Sequence, residues 1–167
     1  MKEKDRGKEE EILKILEDNA RISDEEIAKM VGMEKEEVKQ SISELEDRGV
    51  IKGYKAVINP DKAGIETVQA LIDVKVSSER NAGYDNVAER ISRFPEVKSV
   101  RLVSGEYDLS VLVEGNTMRE VAYFVAEKIS SLEQVRNTVT HFLLKSYKEN
   151  GKIYEEEEKG KRLAVTL

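Results

Sequence analysis

The chain has 167 residues, 39% apolar and 37% charged, with 28 basic against 34 acidic side chains and a formal net charge of −6. This is enough for one domain or two small ones with an aliphatic core, because there is no Trp and only three Phe. Zero cysteines exclude a disulfide framework, a thiolate metal site and a cysteine nucleophile, and a single histidine speaks against a His-based zinc site or a catalytic triad within this chain.

Residues 8–49 carry apolar side chains at helical spacing. Ile12, Ile15 and Leu16 form one stripe, Ile27, Met30 and Val31 a second, and Val38, Ile42 and Leu45 a third. Ser23 and Glu26 make a Ser-x-x-Glu capping box at the start of the second helix. Gly32 and Gly49 stop the second and third helices, since glycine enters the left-handed C′ conformation without strain. Val50 to Ile58 is β-prone, broken by Gly53, and is expected to form a short hairpin or wing. Asn59-Pro60-Asp61-Lys62-Ala63-Gly64 is the best linker candidate. The expected divisions are a helical unit over 1–58, a hinge over 59–67, a second domain over 68–148 and an acidic tail over 149–167.

From residue 68 the period becomes two. Val68, Ala70, Ile72, Val74 and Val76 alternate with Gln69, Leu71, Asp73, Lys75 and Ser77, which predicts a strand. Tyr84, Val87, Ile91 and Phe94 mark a helix stopped by Pro95. Residues 97–103 and 108–114 read as strands joined across Gly105-Glu106-Tyr107. Met118, Val121, Val125, Ile129 and Leu132 mark a second helix, and residues 135–145 a last strand. The order β-α-β-β-α-β is the ferredoxin-like split βαβ arrangement, so the fold class is α+β. Right-handed crossovers put both helices on one face of the sheet. Leu71, Leu112, Phe142 and Leu144 are assigned to the opposite face, whose apolar character predicts a homodimer formed sheet to sheet.

The residues now in view resemble the Lrp/AsnC, or feast/famine, family of transcription regulators. The resemblance is carried by Ile12 to Ser23, by Ile27-Ala28-Lys29-Met30-Val31-Gly32, by Leu45-Glu46-Asp47-Arg48-Gly49-Val50-Ile51-Lys52-Gly53-Tyr54, by Ser104-Gly105-Glu106-Tyr107-Asp108, and by Val135 to Leu144. Together these cover about residues 8–148. The resemblance implies a winged helix-turn-helix that binds double-stranded DNA, and a C-terminal domain that binds an amino acid or similar effector. It also implies homodimers that assemble further, with effector binding shifting the assembly and the DNA affinity. It implies no cofactor.

In a helix-turn-helix the second helix enters the major groove and its N-terminal half meets base edges. Its outward positions here include Lys35, Glu36, Lys39, Gln40 and Ser43, and Ser23 joins Lys35, Lys39, Gln40 and Ser43 as a DNA-facing candidate. Lys52, Lys55 and Tyr54 on the wing are candidates for phosphate or minor-groove contact. The charge departs from the family's pattern: residues 1–58 hold 12 basic and 16 acidic side chains, a net −4. Phosphate neutralisation supplies most non-specific affinity, so weak non-specific binding is expected, offset by multivalency.

Taken alone, Gly105-Glu106-Tyr107-Asp108 is an ordinary turn between strands. With the resemblance it becomes an effector site: Asp108 for an ammonium group, backbone N–H groups near Gly105 for a carboxylate, Ser104 and Glu106 beside them, and the hydroxyls of Thr138 and Thr140. His141 is expected as a hydrogen-bonded, partly buried histidine rather than a base. No Walker loop, dinucleotide loop or paired-carboxylate site is present, so no enzyme is expected. Glu155 to Glu158 reads as a solvated charge run, and Leu163, Val165 and Leu167 alternate as in a short terminal strand, with disorder the alternative. No apolar run approaches the ~20 residues of a membrane helix, and the N-terminus has no apolar stretch of a secretory signal, so a cytoplasmic protein is expected. The competing reading is a metabolite-sensing oligomer with weak or lost DNA binding.

Overall fold

Ile12, Ile27, Val31 and Val38 recur at helical spacing because three helices bury them against one another. In the computed structural model, which describes residues 3–77 and 84–154, these helices are α1 (Glu3–Asp18), α2 (Asp24–Val31) and α3 (Lys35–Asp47). The chain divides into two units, Met1–Ala56 and Val57–Leu167.

The capping box at α2 forms in both directions. The Glu26 N–H donates to Ser23 Oγ at 3.3 Å, and the Ser23 N–H donates to Glu26 Oε2 at 3.1 Å. The Ser23 hydroxyl, followed by its backbone N–H, holds the Glu26 carboxyl below its ordinary pKa. Gly32 closes α2 in the left-handed conformation, with φ of 65°. Lys8 of α1 donates its ammonium to the Val31 carbonyl, a cation at the negative end of α2. After α3, the Gly49 N–H donates to the Glu46 carbonyl at 2.8 Å and the Val50 N–H to the Leu45 carbonyl at 2.9 Å, the paired bonds of a Schellman stop. Met30, expected on the apolar stripe of α2, is exposed. The buried face is centred on Ile27, Ala28 and Val31, and Met30 falls outside it.

The expected wing is absent: residues 52–59 contain no strand. A β ladder needs a partner, and the apolar side chains here, Tyr54, Val57 and Ile58, are exposed rather than packed. The 59–67 segment is more structured than a bare linker. Asn59 caps the one-turn helix α4 (Pro60–Ala63), with its Oδ1 accepting from the Lys62 N–H at 3.1 Å.

The second unit holds β1 (Val68–Val76), α5 (Tyr84–Ser92), β2 (Val97–Leu102), β3 (Leu109–Gly115), α6 (Met118–Phe124) and β4 (Val135–Leu143). The strands form one antiparallel sheet in the order β2-β3-β1-β4. Ala70, Ile72, Val74, Leu109, Val111 and Val113 pack on one face against Val87 and Ile91 of α5 and Val121 and Phe124 of α6. Burying each Val, Leu, Ile or Phe side chain here contributes about 1.5–3 kcal/mol. The second helix is not uniform: after Phe124 it widens into a π-helical turn, Val125–Ile129, which keeps Val125 and Ile129 in the core.

The chain then makes a second hairpin, β5 (Lys148–Glu149) and β6 (Lys152–Ile153), inside the segment expected as tail. Asn150 and Gly151 both have positive φ, 45° and 80°, as the two-residue mirror turn of a hairpin demands. The Asn-Gly pair is itself a strong sequence signal for such a turn. Asn59 Nδ2 donates to the Tyr154 carbonyl at 3.1 Å, joining the start of this unit to the hairpin. The tail residues from Glu155 to Leu167 lie outside the described residues.

Ser23→Ala is expected to destabilise the N-terminal unit by about 1 kcal/mol in urea unfolding, the ordinary cost of losing an N-cap. The same change should raise the Glu26 pKa toward its usual value in an NMR titration. Because the folded pKa is the lowered one, this carboxylate's stabilisation is complete above its unfolded pKa and is lost as pH falls through the folded value. Ser23→Ala should therefore flatten the acid limb of the stability profile.

Candidate functional site

Gly32-Met33-Glu34 joins α2 to α3 as the turn of a helix-turn-helix. On α3, Val38 and Leu45 are buried and Ile42 half-buried. The line directly opposite, at i, i+4, i+7 and i+11, is Glu36, Gln40, Ser43 and Asp47, all exposed. Lys39 lies on its flank and Lys35, seven residues before Ile42, nearer the core side; both are exposed. Gln40 Nε2 donates to Glu44 Oε1 at 2.9 Å, so this candidate base reader begins with its amide engaged. Lys29, and at longer range Lys35, hold the Glu25 carboxyl below its ordinary value, so part of the field of Lys35 falls on an acid of its own unit.

The remaining candidates are placed differently. The Ser23 hydroxyl is held in the capping box. Lys52 and Lys55 are exposed on the non-β segment after α3. Tyr54 Oη donates to Glu46 Oε1 at 2.8 Å, and burial, then that hydrogen bond, raises the phenol pKa.

At the turn between β2 and β3, Ser104, Gly105 and Glu106 are exposed, and Gly105 has a φ of 149° that favours glycine. Asp108 is tied into its own sheet. The β1–β4 register slips between Lys75 and Val76. Here the Val76 N–H donates to Asp108 Oδ2 at 2.9 Å, and Lys75 Nζ stands 3.4 Å from Oδ1. The Lys75 ammonium also donates to the Glu106 carbonyl at 2.6 Å. Asn137 Nδ2 donates to Tyr107 Oη at 3.4 Å. The turn therefore gathers Lys75, Tyr107, Asp108 and Asn137, of which only Asp108 was a candidate from sequence. Lys75 and Asn137 are cross-strand partners; no spacing within either strand announces that.

Thr138 and Thr140 do not join this cluster. They pair with Val74 and Ile72 and so share the helix-covered face, where Thr138 Oγ1 lies 3.0 Å from Ser130 Oγ. The same register corrects one of the four assigned interface residues, Phe142, and does not reach Leu144. Phe142 pairs with Ala70 and packs against the helix-side core, and Leu144 lies beyond the end of β4, 87% exposed. A shift of one residue exchanges the faces of a strand. The open face instead carries Leu71 paired with Leu112, and on β4 Val139, His141 and Leu143. His141 is exposed rather than partly buried, with Nε2 3.1 Å from Asp73 Oδ2. Among the described residues no three His, Cys, Asp or Glu side chains gather as a metal site would need, and no helix is long and apolar enough to cross a membrane.

Residues 6–52 match the sequence profile of a winged helix-turn-helix DNA-binding domain, and residues 69–153 that of the Lrp/AsnC ligand binding domain. The chain is 52% identical over 160 residues to an uncharacterized HTH-type transcriptional regulator, YugG, of Bacillus subtilis (strain 168), covering 95% of this chain and 96% of that protein. It is 32% identical over 140 residues to a proline dehydrogenase transcriptional activator of Rhizobium radiobacter, covering 84% and 89% of the two chains. Among solved structures, a transcriptional regulator of Neisseria meningitidis in complex with L-Met superposes with a TM-score of 0.66 at 25% identity, over 85% of this chain and 91% of that one. A helix-turn-helix with an outward, exposed second helix, followed by a one-sided split βαβ sheet, accords with these matches, and the chain belongs to the Lrp/AsnC family of DNA-binding transcription regulators.

Proposed function

We propose that this regulator is a homodimer that responds to an amino acid held at the Gly105–Asp108 turn. The observation that carries the reading is a cation and an anion held 3.4 Å apart, Lys75 Nζ and Asp108, beside exposed backbone of Gly105 and Glu106. A zwitterionic amino acid needs an anion for its ammonium and a cation or N–H donors for its carboxylate, and it would part this pair to insert between them. Its ammonium would take a free lone pair of Asp108, and its carboxylate would take the Lys75 ammonium or the N–H groups near Gly105. The relative solved with L-Met makes L-methionine the first ligand to try. The role is binding rather than turnover, and no cofactor is required for it.

The sheet face with Leu71, Leu112, Val139 and Leu143 would close the dimer, bringing two DNA-reading helices to a pseudo-palindrome with half-sites about 34 Å apart. Effector and DNA affinities would be coupled reciprocally. A second reading, a metabolite sensor with weak DNA binding, is favoured by one observation: the DNA-reading unit carries net −4.

Isothermal titration with L-methionine and a panel of other amino acids should give saturable binding, weakened at least tenfold by Lys75→Ala and by Asp108→Asn. Unchanged affinity in both variants would move the effector elsewhere. Leu71→Asp should convert the sedimenting species toward a single 19 kDa chain, and wild-type protein that sediments only as that species at micromolar concentration would remove the dimer. Fluorescence anisotropy on the upstream DNA of its own gene, at low salt, should show saturable binding that the effective amino acid alters. No binding with or without amino acids would favour the second reading.

A further inference from the structure

We infer that Glu36 is a base-reading residue that selects cytosine in each half-site. The inference rests on α3 being the helix that enters the major groove. Glu36 lies in the first turn of α3, on the line opposite buried Val38 and Leu45. In this docking mode that end of the helix meets base edges. Three of the other four acids along α3 are engaged within the fold, and the fourth, Asp47, lies at the helix's far, C-terminal end. Glu37 is taken up by the Glu34 N–H at 3.1 Å, Glu44 by the Gln40 amide at 2.9 Å, and Glu46 by the Tyr54 hydroxyl at 2.8 Å. Glu36 is exposed and makes no hydrogen bond or ion pair among the described residues.

A carboxylate at this position accepts hydrogen bonds and donates none. In the major groove, guanine presents the acceptors N7 and O6 and thymine presents O4 and a methyl group, so neither offers it a donor. Adenine sets its N6 donor beside the N7 acceptor, whose lone pair repels a carboxylate. Cytosine alone presents an N4 donor with no acceptor beside it on the same base. An acid in this place costs affinity on every sequence through phosphate repulsion, and recovers it only where a cytosine amino group meets it. The residue thereby lowers non-specific binding and raises discrimination together.

The test is selection from a random 30-base-pair duplex library by full-length wild type, Glu36→Ala and Glu36→Gln, followed by anisotropy on the selected duplex. Wild type should enrich one invariant cytosine per half-site, and exchanging it for thymine should weaken binding roughly 5- to 150-fold, the range of one good base-edge contact. In Glu36→Ala that position should become degenerate while the other selected positions persist, and affinity for a scrambled duplex should rise several-fold. Glu36→Gln should shift the preference toward adenine, which a side-chain amide pairs in two-point fashion. The same cytosine retained by both variants would overturn the inference and leave DNA binding intact. A wild-type library with no enrichment would overturn it together with sequence-specific DNA binding.

Discussion

A sheet whose two connecting helices lie on one face leaves its other face to something outside the domain. That one-sidedness follows from chain handedness, since both β-α-β crossovers turn the same way. Here the covered face takes Ala70, Ile72 and Val74 into the core. The strand pleat then sends Leu71, Asp73 and Lys75 outward on the same strand. The open face is therefore not a leftover surface. It is specified residue by residue by the demand that the other face be apolar. Leu71 against Leu112 gives it an apolar centre, and the Asp73–His141 and Lys75–Asp108 pairs give it charged flanks.

The β1–β4 register slip belongs to the same constraint. Where the ladder shifts at Lys75/Val76, a backbone N–H takes a side-chain acceptor, and Asp108 supplies it. The carboxylate that completes the sheet is thus also the anion of the candidate effector cluster. A ligand drawing on Asp108 would act directly on the hydrogen bonding of β1, which is a physical route from a bound metabolite to the geometry of the sheet.

The N-terminal unit shows how acidity and DNA reading coexist. Several of its carboxylates work inside the fold: Glu26 and Glu37 accept at helix starts, Glu9 pairs with Arg48 at 3.0 Å, and Glu25 pairs with Lys29 at 2.7 Å. Such acids are favoured at helix N-termini for reasons unrelated to DNA. These carboxylates keep their charge, so the unit still repels a duplex at long range, and sequence reading falls to the few side chains on the outward line of α3.

Much of this was legible from residue order. Helical spacing and the Ser23–Glu26 box located the helix-turn-helix, and the change of period at residue 68 located the sheet, because both patterns are local and repeat within one element. The turn at Gly105 and the acid at 108 were also visible. Which residues share a face of β4 was not. Pairing register depends on the slip at Lys75/Val76, so Phe142, Thr138 and Thr140 changed sides relative to a count along the strand. The missing wing has the same origin, since a strand exists only with a partner and no residue within Val50–Ile58 says whether one is available. The sequence by itself determined the main helices and the four sheet strands, their order, and the buried faces of the helices and of β1. Only the tertiary structure decided that Lys75, Tyr107, Asp108 and Asn137 meet, because their proximity is set by register between strands distant in the chain.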